Sequence, residues 1–255
     1  MTDGTASKLP LDSEVAIVTG AGVKTGSIIA RTLAAAGAAV VVNYRNAAAG
    51  ARQTVEDIKA AGGRALAVQC DVTVQDDVHR LVATTVDAFG GPGILVNNAN
   101  IRSFRPLLEL TVAEWRATLG PTLDGTFFCS QSVAPHMQAR GKGTIVNIGG
   151  ASGHSARANR THVSAAKAGL AGMTIALARE LAPHGITVNN IVPGKIDTGS
   201  VGSSGLPVRR EAIPTGRAAS PQEIANLVLF LCGDGCRQMT GQMLHVNGGT
   251  FMTIA

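Results

Sequence analysis

Aromatic residues make up only 3% of the 255-residue chain, with six phenylalanines, one tryptophan and one tyrosine. So few stacking surfaces argue against nucleic acid as a partner, although 22 basic residues against 17 acidic ones leave a net charge of +5. The basic residues are dispersed and form no tract, so small anionic ligands explain the surplus better. Cysteine is scarce too. Cys70, Cys129, Cys232 and Cys236 include no C-x-x-C pair, which argues against a disulfide framework. Cys232 and Cys236, four apart and without nearby histidines, read as core thiols rather than a zinc site, and no metal is expected. No apolar run approaches the ~18 residues that span a bilayer. The opening MTDGTASKLPLD lacks the apolar centre of a secretory signal, so a cytoplasmic setting is the expectation.

What is present is alternation. Short β-branched runs occur at Glu14–Thr19, Ala39–Asn43, Ala65–Gln69, Gly93–Asn97, Gly143–Ile148, Gly185–Ile191 and Gln242–Val246. Helical patterns lie between them near Gly26–Ala36, Ala47–Ala61, Val74–Phe89, Val112–Gln138, Thr161–Leu181 and Pro221–Leu231. Ser220–Pro221 reads as N-cap and N1, and Gly37 as a helix stop. The strands are continuously apolar, as they are when helices cover both faces of a sheet. Seven strands alternating with six helices predict an α/β fold, a single doubly wound parallel seven-stranded sheet of Rossmann type, with residues 1–255 forming one domain. The Gly-, Ser- and Pro-rich stretch at about 198–214 interrupts the rhythm and is expected to be a mobile lid over the ligand end of the sheet.

Thr19-Gly20-Ala21-Gly22-Val23-Lys24-Thr25-Gly26 joins the first strand to the first helix. Such a turn lets backbone N–H groups and a helix N-terminus approach a pyrophosphate, although tight packing alone would also call for glycine. The second strand ends Val42-Asn43-Tyr44-Arg45, without the carboxylate that binds a ribose 2′-hydroxyl. Arg45 instead suits a 2′-phosphate, and hence NADP(H); a solvated surface arginine is the alternative.

Taken with Cys70-Asp71-Val72, Asn97-Asn98-Ala99, Lys167, Pro193-Gly194 and the closing Thr240-Gly241-Gln242…Val246-Asn247-Gly248-Gly249, these landmarks resemble the short-chain dehydrogenase/reductase family, most nearly its β-ketoacyl-ACP reductase branch, from Val15 to about Gly249. The resemblance implies a cofactor held at the turn by Gly20, Thr25 and Gly26, to which the residues themselves add Lys24 and Arg45 as basic groups for its phosphates. It also implies Asp71 and Val72 at the adenine, Asn98 at the adenine-side ribose region, Ile196 and Thr198 at the carboxamide, and Lys167 at the nicotinamide ribose. It implies a homotetramer, with the helices around Val112–Gln138 and Thr161–Leu181 at one interface and the last strand at another. Lys24 departs from the family, standing at the middle glycine of T-G-x-x-x-G-x-G, where it either reaches toward phosphate or swings into water. Pteridine reductases are similar in carrying a basic residue there.

The catalytic end departs further. The family's tyrosine, four before Lys167, is Val163; its serine, thirteen before that, is Gly150; its asparagine is Thr122. Tyr44, the one tyrosine, belongs to the adenine side. A placed general acid contributes roughly 10²–10⁴ in rate and an oxyanion donor about 10²–10³, so the ordinary ketoreductase mechanism is not expected to operate. His162, beside the vacated tyrosine position, and Lys167 are the candidate catalytic groups. Neighbouring helical residues point about 100° apart, so His162 would serve only from a first turn. His154 and Ser152 are weaker candidates. Asn100 replaces a family glycine and narrows the nicotinamide end. Arg102, Arg105, Arg157 and Arg160 either form a cationic mouth for an acidic substrate or are four solvated arginines.

Three functions remain open at this point. One is an NADP(H)-dependent oxidoreductase with a non-standard acid, acting on a small carbonyl or hydroxyl compound. Another is a non-redox isomerase, dehydratase or lyase. The third is a cofactor-binding subunit without its own activity, stabilising an active homologue or sensing the cofactor.

Overall fold

The computed structural model describes residues 9–199 and 212–252. Its seven strands are β1 (Val15–Val18), β2 (Ala39–Tyr44), β3 (Arg64–Gln69), β4 (Ile94–Asn97), β5 (Gly143–Ile148), β6 (Ile186–Pro193) and β7 (Met243–Val246). They form one parallel sheet in the order β3-β2-β1-β4-β5-β6-β7. This is the doubly wound Rossmann-type arrangement the alternation predicts, and most of the expected lid, residues 200–211, lies outside the described residues.

Helices α1 (Lys24–Ala35), α2 (Ala48–Ala60), α3 (Gln75–Phe89), α4 (Val112–Thr122), α5 (Asp124–Ala139), α6 (Ser152–Ser155), α7 (Thr161–Leu181) and α8 (Pro221–Cys232) connect the strands. Side-chain alternation along the strands splits the core in two. Ala16, Val18, Val40, Val42, Val96 and Val146 pack beneath α1, α2 and α8. Ile17, Val41, Leu95, Ile145 and Val188 face α3, α5 and α7. All four cysteines are buried thiols. Burial pushes those of Cys70 and Cys232 up to about 12, which leaves them protonated and poor nucleophiles near neutral pH.

Helix ends follow their local chemistry. Ser220 Oγ accepts the Glu223 amide while the Glu223 carboxylate accepts the Ser220 amide, a capping box with Pro221 in the first turn. The run predicted as one helix over Val112–Gln138 divides at Leu123. Pro121, in the last turn of α4, has no N–H to donate back to residue 117, which weakens the ladder at that point.

The turn after β1 is tightly packed. Gly20 has φ +61°, and a Cβ on Gly26 would stand 2.6 Å from Asn98 Nδ2 and closer still to the Gly20 carbonyl. Lys24 also holds a left-handed φ of +53°, a conformation glycine adopts without strain. Gly26→Ala should therefore cost about 1–3 kcal/mol of stability by overpacking. Lys24→Gly should raise stability by about 1 kcal/mol by relieving the backbone. Urea unfolding of both variants checks the two signs.

Candidate functional site

Because β1 pairs with β2 on one side and β4 on the other, the chain leaves it in both directions and opens a crevice at the strands' carboxyl ends. The Thr19 hydroxyl closes the base of that crevice by accepting the amides of Asn98 and Ala99 at 2.9 and 3.0 Å. The Asn98 side chain donates to the carbonyls of Thr19 and Gly20 at 2.9 and 3.1 Å, so its amide braces the turn. Asn43, from the end of β2, accepts the Gly20 amide through Oδ1 and donates to the Cys70 carbonyl, both at 3.1 Å. In sequence, Asn43 is legible only as the absence of a carboxylate at the end of β2. Its buried amide joins the glycine turn to the end of β3.

No side chain caps the N-terminus of α1, whose first turn holds Lys24 and the buried Thr25 and Gly26. Those amides, the absent Cβ at Gly26 and the exposed ammonium of Lys24 fit a pyrophosphate. Beyond the end of β2, Arg45 Nη1 lies 3.4 Å from Asp71 Oδ2. Burial pushes the Asp71 carboxyl up, but hydrogen bonds from the Thr73 amide and hydroxyl, then the Arg45 cation, outweigh it and hold it below the usual range. An exposed pair of this kind is worth roughly 0–1 kcal/mol, so Arg45 can exchange its partner for a phosphate at little cost. Val72 is buried against Gly125. Ile196 forms a parallel bridge with Ala219 and leads to Thr198, placing this segment past β6.

At the other end of the crevice, Lys167 is buried in α7 and its Nζ donates to the Ile148 carbonyl at 2.8 Å. Burial first, and the Arg102 cation second, pull its pKa down from 10.5 to about 7. Val163, one turn earlier, is buried apolar surface. A Cβ on Gly150 would meet only Lys167 carbons at 3.9 Å, so the vacated serine position has room for a side chain. The Thr122 hydroxyl is buried with no hydrogen-bond partner among the described residues.

His162 sits in the first turn of α7, fully buried, with Nε2 2.8 Å from the Ser103 hydroxyl. Burial holds its pKa below the ordinary value; Glu114 opposes this, while Arg160 and Arg105 add to it. The ring is therefore neutral at pH 7, and it pins the loop after β4 to α7. His154 lies elsewhere, edge-on to His245 at 4.9 Å and near Phe251 at 5.7 Å. Arg105 is taken out of the expected cationic mouth by Glu114 at 2.8 Å, with Glu109 at 3.9 Å.

A buried polar row that the sequence reading missed underlies this end. Asn97, Asn147 and Asn190 are aligned across β4, β5 and β6. Asn97 donates to Asn147, which donates to Thr174 of α7, both at 2.9 Å. Asn190 is also buried, and neither atom of its amide has a partner among the described residues. The Cβ of any residue at Gly149 would collide with its Oδ1. The signal was available as an asparagine at the same register in three successive strands.

No described helix is long and apolar enough to cross a membrane. The family model described as enoyl-(acyl carrier protein) reductase matches residues 22–250. The chain is 38% identical over 243 residues to a 3-oxoacyl-[acyl-carrier-protein] reductase of Synechocystis sp., covering 95% of this chain and 98% of that one. It is 40% identical over 257 residues to the short-chain reductase protein NovJ of Streptomyces niveus, covering 97% of each. To the 3-oxoacyl-[acyl-carrier-protein] reductase FabG of Staphylococcus epidermidis it is 39% identical over 240 residues, covering 93% and 98%.

The depressed Lys167 has a thermodynamic consequence. Between pH 7 and 10.5 the unfolded lysine is protonated and the folded one is largely neutral. The unfolded state thus binds more protons, and this group makes stability rise with pH across that window. Lys167→Met should flatten the rise and stabilise the fold most at pH 7 and below, measured by denaturant unfolding at several pH values.

Proposed function

The chain belongs to the short-chain dehydrogenase/reductase family, and from that premise we propose that it is an NADP(H)-dependent oxidoreductase acting on a carbonyl or hydroxyl compound, with Lys167 handling the proton in place of a tyrosine. The observation that carries this reading is a buried ammonium brought to about 7, anchored on the Ile148 carbonyl beside the vacated positions 150 and 163. A proton donor is most effective when its pKa is near the working pH. When bound, the nicotinamide ring supplies or accepts the hydride. Lys167 Nζ then gives its proton to the alkoxide oxygen during reduction, and takes it back during oxidation. His162 holds the loop over the site through Ser103; its Nδ1, without a partner among the described residues, is the atom by which it would serve as an alternative acid. At the far end, Gly20, Thr25 and Gly26 cradle the pyrophosphate, Lys24 neutralises it, and Arg45 turns from Asp71 to the 2′-phosphate. Asp71 and Val72 flank the adenine, and Ile196 and Thr198 take the carboxamide. Asn98 acts on this cofactor through the turn it braces.

Loss of the serine and asparagine leaves the oxyanion with few donors, so turnover should be slow, about 10²–10³ below that of a complete site. The same losses support a second reading, a cofactor-binding subunit that stabilises an active homologue. In either case the chain assembles as a homotetramer, or with that homologue, through α4, α5 and α7. Phe127 of α5 and Ile175 of α7, each 44% exposed, support that surface.

Calorimetric titration with NADPH and NADH tests the cofactor. NADPH should bind at least about tenfold more tightly, the value of one good charged contact, and Arg45→Ala should remove the preference. Equal affinities would sink the 2′-phosphate assignment, and binding of neither would end the oxidoreductase reading. For the proton, carbonyl-dependent NADPH oxidation should fall about 10²–10⁴ in Lys167→Met. It should fall far less in His162→Ala if His162 only holds the loop. Tight NADPH binding without turnover, with turnover appearing on Thr122→Asn, Gly150→Ser and Val163→Tyr together, would establish the second reading instead.

A further inference from the structure

Two walls overhang Lys167, the loop of residues 100–106 after β4 and the segment 156–162 that leads into α7. They are fastened at three points. Ser103 meets His162 at 2.8 Å, the Arg105 amide donates to the Asn159 carbonyl at 2.9 Å, and the Arg160 guanidinium lies 3.7 Å above the Phe104 ring. Asn159 holds a left-handed φ of +61° in the wall that presents this carbonyl. A further bond fixes the loop's other end, from Asn100 Nδ2 to the Asn98 carbonyl at 2.7 Å. Arg102 therefore projects from a loop pinned on both sides.

The fastened walls gather positive charge. Arg102 lies close enough to both Lys167 and Arg160 for its field to oppose their charges, and Arg157 opposes Arg160 as well. Arg105 is neutralised by Glu114 and Glu109. Among the described residues no carboxylate pairs with Arg102 or Arg157. Arg102 and Arg157 are thus like charges with no carboxylate paired to either among the described residues, and a ligand anion would relieve them. Guanidinium groups match the geometry of carboxylate and phosphate, accepting two parallel contacts from each.

We infer that Arg102 and Arg157 bind an oxyanion, carboxylate or phosphate, at the mouth of the crevice beside Lys167, and that the substrate is an acidic carbonyl or hydroxyl compound. The oxyanion site stands on the arginines alone; its identification with a substrate rests on the oxidoreductase reading. Bound there, the acidic group would place the rest of a small molecule beside Lys167 Nζ.

The test is calorimetric titration of the nucleotide-free protein with malonate and with inorganic phosphate. Saturable binding is expected, weakened about tenfold or more by Arg102→Gln and by Arg157→Gln, and less by Arg102→Lys. The stronger of the two probes identifies the oxyanion as carboxylate or phosphate. Removing a charge from a repelling group should leave the thermal midpoint unchanged or raised, which checks that the variants are folded. Lys24→Gln reports the other anion site, at the pyrophosphate turn. Absence of binding, or binding that survives Arg102→Gln and is lost in Lys24→Gln, overturns the proposal. Arg102-dependent malonate binding in a protein that binds neither NADPH nor NADH would keep the oxyanion site and discard the oxidoreductase reading. NADPH binding without any Arg102-dependent anion would do the reverse.

Discussion

Where β1 and β4 end side by side, the Thr19 hydroxyl accepts two backbone amides, Asn98 returns two hydrogen bonds from its side chain, and Gly26 passes with no room for a Cβ. Everything at the ligand end is placed from this knot. It sets the exit angle of α1, and so the direction in which the uncapped amides at Lys24 and Thr25 point. Asn43 carries the same constraint outward to the end of β3, where Asp71 and Arg45 stand. On the other side, the Asn98 carbonyl holds Asn100, and with it the start of the loop that carries Arg102 and Ser103. The strain of a lysine at φ +53° is tolerated because the surrounding bonds determine the turn whatever residue stands at 24.

The opposite end obeys a different constraint. A lysine amine is buried with one protein acceptor, the Ile148 carbonyl, and with another cation close by. The family pattern has a tyrosine and a serine at positions 163 and 150. Here Val163 contributes only apolar surface and Gly150 contributes nothing, so desolvation acts on the amine without polar compensation. The amine responds by losing affinity for its proton, and a residue that would otherwise be a fixed charge becomes one that titrates near neutrality. Beneath it, Gly149 and Asn190 meet at close range. The asparagine's amide fills the space that a side chain at 149 would need, and leaving that amide unpaired in the interior costs about 1–3 kcal/mol.

The sheet was legible because both its faces are covered. Runs such as Val40-Val41-Val42 and Ile145-Val146 have no polar alternation to mislead, and glycines mark their ends. The break at Leu123 was not legible, because an apolar periodicity continues through it and only Pro121 hints at the loosened ladder. The glycines of the turn after β1 were visible as spacing. The partners of the site residues were not, since they are made across the fold: Asn43 with Gly20, Ser103 with His162, Arg105 with Glu114. The last of these halves the meaning of a basic cluster that looks uniform in sequence. Four arginines near the mouth are equivalent as letters; carboxylates from α4 and the turn before it neutralise one of them and leave Arg102 facing the lysine.

That inequality links the two unusual features of the site. Arg102 lowers the proton affinity of Lys167, and by reciprocity a proton on Lys167 opposes the charge of Arg102. An oxyanion held by Arg102 would offset its field, so the amine would regain affinity for a proton when the anion arrives. Because burial is the larger cause and persists, occupation would shift the amine toward its protonated form rather than switch it completely. Release of the anion would restore the arginine's field and favour loss of the proton to solvent. A tyrosine with its ordinary pKa near 10 would carry a proton at neutral pH without such coupling. With Val163 in its place, electrostatic coupling between a guanidinium and an amine can accomplish the same protonation with different groups.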